Sequence, residues 1–260
     1  MFLGMRTKRF AAAAILGLAL LASGCGRSFR PQNFEVGQPL FDVAMERFER
    51  GKWGDAAAGF ERLTLELSPS HALLPESMYY LGMSRERRGE HLLAAQSFTR
   101  LTGSFPSDTL ADDGLFQAGM SYAELWRKPQ LDPEYGDLAL DAFRTLLSDY
   151  PNSSLADTAR VEVAELTEAR ARKDYLTGRF YLRRRYRDSA ILYFLSVVER
   201  YPTTEAARLS YLGLLDAYRA IGYDEEASEI CQTMRQQYAS DSETLEACPP
   251  APAVADSTGA

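Results

Sequence analysis

Apolar and polar positions follow one another along this chain with helical spacing, in paired segments that short turns separate. The stretch from Gly178 to Pro202 shows the repeated unit. It consists of a helix that carries a small residue, a tight turn, a second helix with Ala190 and Phe194, and a stop at Tyr201 and Pro202. Because proline cannot continue a helix, each aromatic-proline dipeptide of this kind predicts a helix boundary.

One spacing recurs in the pairs: a small residue, an alanine twelve positions later, and an aromatic residue or cysteine four beyond that. The matches are Ala44, Ala56 and Phe60; Gly82, Ala94 and Phe98; Gly178, Ala190 and Phe194; and, more loosely, Leu215, Ala227 and Cys231. Gly119, Ala139 and Phe143 also match if about eight extra residues separate their helices. Tandem helix pairs of this period are typical of a tetratricopeptide solenoid. We therefore predict an all-α, tetratricopeptide-type α-solenoid of about five helix pairs, in which the small residues serve packing.

Breakers in the sequence set the limits of this repeat domain at residues 39–239. Prolines and glycines predict a non-helical insertion over residues 126–137, inside the third pair. Residues 155–185 lack a breaker and predict either one long helix or two abutting ones. Residues 240–260 are rich in Pro, Ala and Ser and have no periodicity, so we predict a disordered tail.

The first 24 residues have the pattern of a signal peptide. Three basic residues precede an apolar run, residues 11–22, that is too short to span a membrane. The following Ala-Ser-Gly-Cys resembles a bacterial lipobox, in which Cys25 would receive diacylglycerol and become the N-terminus. Residues 25–38 would then be a lipidated tether, and several acyl chains would anchor the protein durably. An ordinary secretory signal with an incidental cysteine is the alternative.

Composition and charge narrow the class of protein. Hydrophobic residues make up 46% of the chain, enough for the core of a helical body. The net charge is -7, and removal of residues 1–24 takes away three basic residues and no acidic one, which leaves -10. A charge of this sign argues against a nucleic-acid binder.

The sequence offers no pattern of catalytic or metal-binding residues. The two histidines, His71 and His91, fall in predicted turns and form no H-E-x-x-H arrangement. A glycine-rich phosphate loop and a nucleophile elbow are absent from the sequence as well. We therefore expect a protein that is not an enzyme and has no metal and no cofactor.

The first helices of pairs one to three carry equivalent aromatic residues and methionines, which stand three positions before and one after the small residue. These are Phe41, Tyr79 and Phe116, then Met45, Met83 and Met120. Methionines adapt to varied partners, so these columns predict a groove for apolar or aromatic peptide segments. Arg87, one turn beyond Met83, would meet a peptide carboxylate. The competing interpretation is packing between repeats and a solvated arginine.

Arginines concentrate positive charge around the turn of the fourth pair. The candidates for partner docking are Arg179, Arg183, Arg184 and Arg187. A planar guanidinium pairs well with carboxylates, so the cluster predicts docking of an acidic partner domain. A solvated helix face and phospholipid headgroups are the alternatives.

Two cysteines remain if Cys25 is acylated. Cys231 holds the aromatic position of the fifth pair and is predicted to be buried, and Cys248 lies in the tail, seventeen residues later. A disulfide between them would pin the tail to the last repeat. The sequence leaves this pairing open, because the geometric rules for a disulfide need a structure.

These features together resemble the BamD family, the tetratricopeptide lipoproteins of the β-barrel assembly machine. The lipobox, the helix pairs, the stops SFP, DYPNS and RYPTT, and the segment GRFYLRR carry the resemblance, which runs from Cys25 to about Tyr238. It implies a subunit anchored in the outer membrane and facing the periplasm. It also implies that the C-terminal repeats dock on the Omp85-type barrel subunit, while the N-terminal repeats meet unfolded β-barrel outer-membrane proteins.

Two positions depart from the family pattern. Members usually have glycine where Arg185 stands in the fourth turn, and arginine where Tyr193 stands in the following helix. The first departure should cost about 1 kcal/mol if the backbone there is left-handed. The second puts in doubt one ionic contact with the barrel subunit.

The alternative function is a tetratricopeptide lipoprotein adaptor in cell-envelope maintenance, which coordinates division or peptidoglycan.

Overall fold

The computed structural model describes residues 29–128 and 132–249, and these form eleven α-helices after a short 3-10 turn at Pro31–Asn33. The helices are α1 (Gln38–Glu49), α2 (Trp53–Glu66), α3 (Leu74–Arg87), α4 (His91–Ser104), α5 (Ala111–Leu125), α6 (Glu134–Asp149), α7 (Ala156–Arg183), α8 (Arg187–Arg200), α9 (Glu205–Ile221), α10 (Asp224–Gln237) and α11 (Ser242–Ala247). From α1 to α10 each helix packs on the next, which gives five consecutive pairs. No strand occurs within the described ranges. The predicted all-α, tetratricopeptide-type solenoid is confirmed.

Four of the five pairs turn with the same backbone geometry. The residue that ends the turn has a left-handed backbone in each; the four φ angles are 70° at Gly51, 73° at Gly89, 65° at Arg185 and 76° at Gly222. The following amide then donates back to the last turn of the helix, as Tyr186 N does to Tyr181 O at 3.1 Å. Among the described residues Arg185 is the one non-glycine with a positive φ. The sequence departure at this position therefore falls where glycine is favoured.

We expect Arg185→Gly to raise the free energy of unfolding by about 1 kcal/mol, because glycine adopts the left-handed conformation without a steric penalty. The backbone hydrogen bonds of the turn need no side chain and would remain. Urea denaturation followed by circular dichroism measures the change. The matched control is Arg172→Gly, at an exposed position inside α7, which should lose about 1 kcal/mol. A loss of stability in Arg185→Gly would contradict the prediction.

A phenylalanine of the second helix fills the interior of each of the first four pairs. Phe60, Phe98, Phe143 and Phe194 are all fully buried. Glycines of the first helix face the last three rings; they are Gly82, Gly119 and Gly178. A methyl group on any of these glycines would stand 2.6 or 2.7 Å from a ring carbon, well inside van der Waals contact. This confirms that the small residues of the repeat permit close helix packing.

The uninterrupted stretch forms the single helix α7 of 28 residues, about 42 Å long. Of the two alternatives that the sequence left open, the structure therefore shows one long helix. Glu168 in its middle caps the start of α9, where its Oε2 accepts from Glu205 N at 2.8 Å and its Oε1 from Ala206 N at 3.1 Å. On the other side Arg170 pairs with Asp137 of α6 at 3.1 Å. The long helix thus connects the third, fourth and fifth pairs.

The insertion of the third pair is shorter than predicted. Helix α6 begins at Glu134, whose amide donates to Asp132 Oδ1 at 3.1 Å, so residues 134–137 are helical rather than irregular. Trp126 is 4% exposed and packs on Gly136, where any side chain would collide with the indole. Residues 129–131 lie outside the described residues. The sequence prediction missed this indole contact, which holds the start of α6 in place.

The predicted tether over residues 25–38 is wrong for residues 29–37, which pack on the first helix pair. The rings of Phe29 and Phe34 stack with centroids 5.8 Å apart, and the Arg47 guanidinium lies 5.4 Å from the Phe29 ring. Arg62 Nη1 donates to the carbonyls of Pro31 and Phe34, at 2.6 and 2.9 Å. Two arginines therefore hold a segment that lacks helical periodicity. The predicted signal peptide, residues 1–24, and the predicted acylation site Cys25 lie outside the described residues.

The predicted disordered tail is wrong for residues 240–249. They include α11, which Asp241 caps: its Oδ2 accepts from Thr244 N and from Thr244 Oγ1, both at 2.8 Å. These hydrogen bonds lower the pKa of Asp241, so the cap is charged and in place at neutral pH. Cys248 forms a disulfide with Cys231, with 5.3 Å between the Cα atoms. The tail has no clear helical periodicity, so the sequence did not predict this helix, which the disulfide links to α10.

Candidate functional site

The exposed surface around the turn between α7 and α8 combines arginines with aromatic rings. We call it the arginine-aromatic patch; its members are Arg179, Phe180, Arg183, Arg184, Tyr186 and Tyr193. Tyr186 is 62% exposed, Phe180 40% and Tyr193 36%. Arginine and aromatic residues are enriched at the centres of protein interfaces, whereas isolated exposed apolar residues are common everywhere. The composition of this patch therefore distinguishes it from ordinary helix surface.

Ring contacts hold the patch in one arrangement. The Arg184 guanidinium lies 4.1 Å from the centroid of the Phe180 ring, one helical turn earlier. Tyr181 stacks on Tyr193 of α8 with 5.5 Å between centroids, and it meets Tyr186 edge-on at 6.4 Å. Arginine stacked on a ring keeps its hydrogen-bonding edge free for a partner. The patch is therefore a preformed surface whose guanidinium groups remain available.

The four predicted docking arginines have different surroundings. Arg179, Arg183 and Arg184 are exposed, and within the described part of the chain no carboxylate forms an ion pair with them. Arg187 instead donates from Nη1 to Leu182 O at 2.9 Å and so ties the end of α7 to the start of α8. The structure brings three of the four together as exposed cations, and it places the fourth at the start of α8.

The predicted groove residues lean on the buried phenylalanines of their own pairs. The ring of Phe41 lies 5.7 Å from that of Phe60, Tyr79 lies 5.8 Å from Phe98, and Phe116 lies 5.5 Å from Phe143, all edge to face. Phe41 is 7% exposed and packs in the core, as the competing interpretation has it. The remaining two aromatics are half-buried and present part of their surface.

The methionines are half-buried too, and they belong to a column that continues into the fourth pair. Met45, Met83 and Met120 pack against the cores of pairs one to three. At the equivalent positions pair four has Tyr175, whose ring lies 6.0 Å from Phe194, and then Arg179, whose guanidinium lies 5.6 Å from the Tyr175 ring. Arg179 therefore belongs both to this column of equivalent positions and to the arginine-aromatic patch.

Sequence reasoning missed most aromatic members of the patch and the place of Tyr175. The signal for Tyr175 was available, because it stands three residues before Gly178, in the same register as Phe41, Tyr79 and Phe116. Phe180 and Tyr186 break the helical pattern of buried positions, and only the structure shows that they are exposed.

The predicted groove residue Arg87 contacts the first helix pair. Its guanidinium lies over the Trp53 ring of α2, 5.8 Å from the ring centroid.

Burial, together with the negative charge of Asp113, raises the pKa of Tyr79. Its hydroxyl therefore stays protonated well above neutral pH and can donate to a bound segment. Burial, together with the charge of Asp112, also raises the pKa of Asp113. The surface around Tyr79 thus combines a half-buried aromatic ring and its hydroxyl donor with the nearby carboxylate of Asp113.

One cluster joins a histidine, a carboxylate and a serine, but its order does not suit nucleophilic catalysis. Ser121 Oγ donates to Glu86 Oε2 at 2.8 Å, and His91 Nδ1 lies 2.9 Å from Glu86 Oε1. A serine nucleophile needs the imidazole as its direct neighbour, and here the carboxylate stands between them. The cluster instead links α3, α4 and α5. His71 Nδ1 accepts from Leu73 N at 3.1 Å, within a turn.

In residues 29–128 and 132–249, no group of three or more His, Cys, Asp or Glu side chains is placed to hold a metal ion. No helix in the same ranges combines the length and the apolar character needed to cross a bilayer.

Comparisons with known proteins agree with one another on the family. The family model YfiO, described as "Outer membrane lipoprotein", matches residues 36–233. A relative from Caulobacter vibrioides, named outer membrane protein assembly factor BamD, is 26% identical over 218 residues, which cover 83% of this chain and 71% of the relative. A relative of the same name from Vibrio cholerae is 27% identical over 233 residues, which cover 86% of this chain and 96% of the relative.

Solved structures with similar helix arrangements are more distant. The TPR2AB domain of yeast Sti1 in a complex with pHSP90 has a TM-score of 0.40 at 14% identity, and covers 80% of this chain and 88% of its own. A thermophilic TPR protein of Thermus thermophilus has a TM-score of 0.35 at 20% identity, and covers 84% of this chain and 96% of its own. These scores are low, so the fold assignment rests on the helix pairs themselves. By the family model and the curated relatives, the chain belongs to the family of outer membrane lipoproteins whose curated members are named outer membrane protein assembly factor BamD.

Proposed function

We propose that this protein is a scaffold in the assembly and insertion of β-barrel outer-membrane proteins. In this proposal Cys25 is acylated and anchors the chain in the outer membrane, on its periplasmic face. The arginine-aromatic patch docks on the Omp85-type barrel subunit, and the half-buried aromatic and methionine column receives segments of unfolded barrels. Membership of the family supports a role in outer-membrane protein assembly and association with that membrane. Members of this family and tetratricopeptide folds are typically non-enzymatic scaffolds, and the proposed mechanism is binding alone.

The observation that carries the docking proposal is the set of exposed arginines without carboxylate partners, next to exposed rings. Arg179, Arg183 and Arg184 have no ion pair within the described residues, whereas Arg170 and Arg208 elsewhere in the same half are paired. A partner domain with carboxylates around an apolar centre would satisfy both the charges and the rings. Tyr193 stands where the family resemblance implies arginine, and it stacks with Tyr181. We expect this chain to replace one ionic contact by an aromatic one.

The column of the N-terminal pairs supports the substrate half of the proposal. Met83 and Met120 present flexible thioethers, and Tyr79 adds a protonated hydroxyl. Such a surface accepts varied apolar and aromatic segments without a fixed sequence, which suits unfolded chains. Arg87 stands beside the column and carries a positive charge for a chain end.

Site-specific photocrosslinking in intact outer membranes tests the division of labour. A photoreactive residue would replace Tyr79, Met83, Arg179 or Arg184, and the exposed Val161 of α7 provides the control position. We expect the Omp85-type subunit at 179 and 184, newly made barrels at 79 and 83, and neither at 161. Division or cell-wall proteins at these positions, without the barrel subunit, would replace the proposal by the envelope-adaptor function.

Charge reversal within the patch should weaken docking. We expect Arg184→Glu to reduce the affinity for the Omp85-type subunit about tenfold, which is about 1.4 kcal/mol, because it places like charges in contact. Binding of the purified proteins, followed at several salt concentrations, measures the effect. The matched control is Arg144→Glu, which reverses an exposed arginine of α6 outside the patch. Equal weakening by the two variants would show that net charge, not the patch, is responsible.

A further inference from the structure

We propose that the first helix pair lies against the phospholipid headgroups of the membrane, held there by a clamp in which Arg62 and Arg47 grip residues 29–34. The inference rests on the proposed acylation of Cys25. It adds how far the solenoid lies from the membrane and which of its surfaces faces the headgroups. It follows from the packing of residues 29–34 and from the length of chain between Cys25 and that packed segment, which we call the leash.

The clamp uses most of the hydrogen-bonding capacity of one arginine. Arg62 Nη1 donates to two carbonyls of the segment, those of Pro31 and Phe34, at 2.6 and 2.9 Å. Its Nε and Nη2 donate to Glu66 at 2.8 and 3.2 Å, and this pairing fixes the plane of the guanidinium. One side chain of α2 thus holds both ends of the 3-10 turn.

Apolar contacts lock the same segment. Pro31 is buried, and the Phe29 ring stacks on Phe34 and packs over Gly59 of α2, where a Cβ would lie 3.7 Å from the ring. The Arg47 guanidinium covers the Phe29 ring at 5.4 Å. Phe29 is therefore a fixed point of the first helix pair, although it lies outside every helix.

The distance from Cys25 to this fixed point is short in any conformation. Phe29 stands four positions after Cys25, and a fully extended chain spans at most about 14 Å over four steps. Without the clamp the leash would run to Gln38, thirteen residues away, with a limit of about 45 Å. Since the mean span of a flexible chain grows with the square root of its length, release of the clamp would raise the mean height about twofold.

The surface next to the fixed point suits this position. Pro31 and Leu65 line one shallow surface cavity, and Leu65 is 73% exposed. The two acids of that cavity have cationic partners: Glu61 pairs with Arg85 at 2.7 Å and Glu66 with Arg62 at 2.8 Å. Paired carboxylates repel anionic headgroups less than free ones would. This side of α2 can therefore approach the membrane.

Energy transfer on the acylated full-length protein in phospholipid vesicles tests the inference. A donor dye is placed at Leu65→Cys or, as the distant reference, at Tyr223→Cys in the fifth pair, and the acceptor is a dye on lipid headgroups. Cys231 and Cys248 are in a disulfide and do not react. We expect strong transfer from residue 65 and weaker transfer from residue 223. The double variant Arg47→Ala/Arg62→Ala should increase the separation at residue 65 about twofold.

Two controls make the result decisive. Arg50→Ala removes an arginine of the first turn that pairs with Glu46 outside the clamp, and it should leave the transfer unchanged. Insertion of about nine Gly and Ser residues before Phe29, with the clamp intact, restores the leash length of the released state and should reproduce its transfer. Equal transfer from residue 65 in the parent, the clamp variant and the insertion variant would overturn the inference.

Mass spectrometry of the N-terminal peptide separates this inference from the proposed function. An acylated protein with weak transfer from residue 65 overturns the membrane position alone. A protein without acyl chains at Cys25 overturns the anchor and the position together, while docking through the arginine-aromatic patch is judged by its own crosslinks.

Discussion

Replacement of Phe194 by alanine is expected to lower the free energy of unfolding by about 3–5 kcal/mol. The ring is fully buried and lies between two helices of different pairs. One edge faces Gly178 of α7 and the other faces Gly213 of α9, and a Cβ on either glycine would lie 2.6 Å from the ring. Its removal would leave a cavity at the junction of the fourth and fifth pairs, where the backbones already meet closely and cannot collapse further.

The loss should be concentrated in the C-terminal half. In a solenoid each repeat is stabilised chiefly by its neighbours, so a cavity at one junction weakens the pairs beyond it first. Urea denaturation gives the total change, and amide hydrogen exchange should show early opening of α9 to α11. Leu192→Ala on the same helix, where the side chain is 69% exposed, should change stability by less than about 0.5 kcal/mol. Phe194→Leu keeps much of the volume and gives a folded intermediate case. Equal effects of Phe194→Ala and Leu192→Ala would contradict the prediction that the Phe194 ring stabilises the junction of the fourth and fifth pairs.

Two glycine variants test the same junction from the other side. Gly178→Ala adds a methyl group against a rigid ring and should cost about 1–3 kcal/mol. Gly103→Ala, at an open position of α4, should instead gain up to about 1 kcal/mol from helix propensity. The opposite signs separate the packing role of a repeat glycine from the general preference of helices for alanine.

The fold followed from the sequence because its determinants are local and repeated. The small residue, the alanine and the aromatic of each unit are fixed by one packing arrangement, so the same spacing in tandem predicted both the helix pairs and their contacts. The left-handed backbone at Arg185 was only a condition of the sequence prediction, and the structure shows it there, as it does at Gly51, Gly89 and Gly222 of the equivalent turns.

The sequence could not show contacts between elements that lack a repeat. Arg62 holds Pro31 and Phe34 from 31 and 28 residues away, and no periodicity marks such a pairing. The same holds for the patch, where the exposure of Phe180 and Tyr186 depends on how α7 meets α8. Helical spacing predicts which residues face a neighbour, but a chain end has a neighbour on one side only. The packed segments at both ends were therefore misjudged as tether and tail.

Removal of the disulfide is the second large effect that we expect. The double variant Cys231→Ala/Cys248→Ala should lose about 3 kcal/mol, because the bond closes a loop of seventeen residues in the unfolded chain. Both cysteines are buried, at 8% and 1% exposure, so the reduced state is best reached by unfolding in a thiol reductant. The reduced wild-type protein and the double variant should unfold at similar urea concentrations, below that of the oxidised protein.

The remaining contacts of α11 decide what the variant looks like when it is folded. Arg208 bridges α9 to Asp241 and Glu243 at 3.1 and 2.9 Å, and Arg219 donates to Ala247 O at 2.9 Å. Partly exposed ion pairs contribute about 0.2–1 kcal/mol each, less than the covalent link, so α11 should detach locally before the solenoid unfolds. Hydrogen exchange in α11 should then rise in the double variant, while α1 to α6 keep their protection. If α11 stays protected without the disulfide, the Arg208 and Arg219 contacts hold it, and Arg208→Ala added to the double variant should then release it.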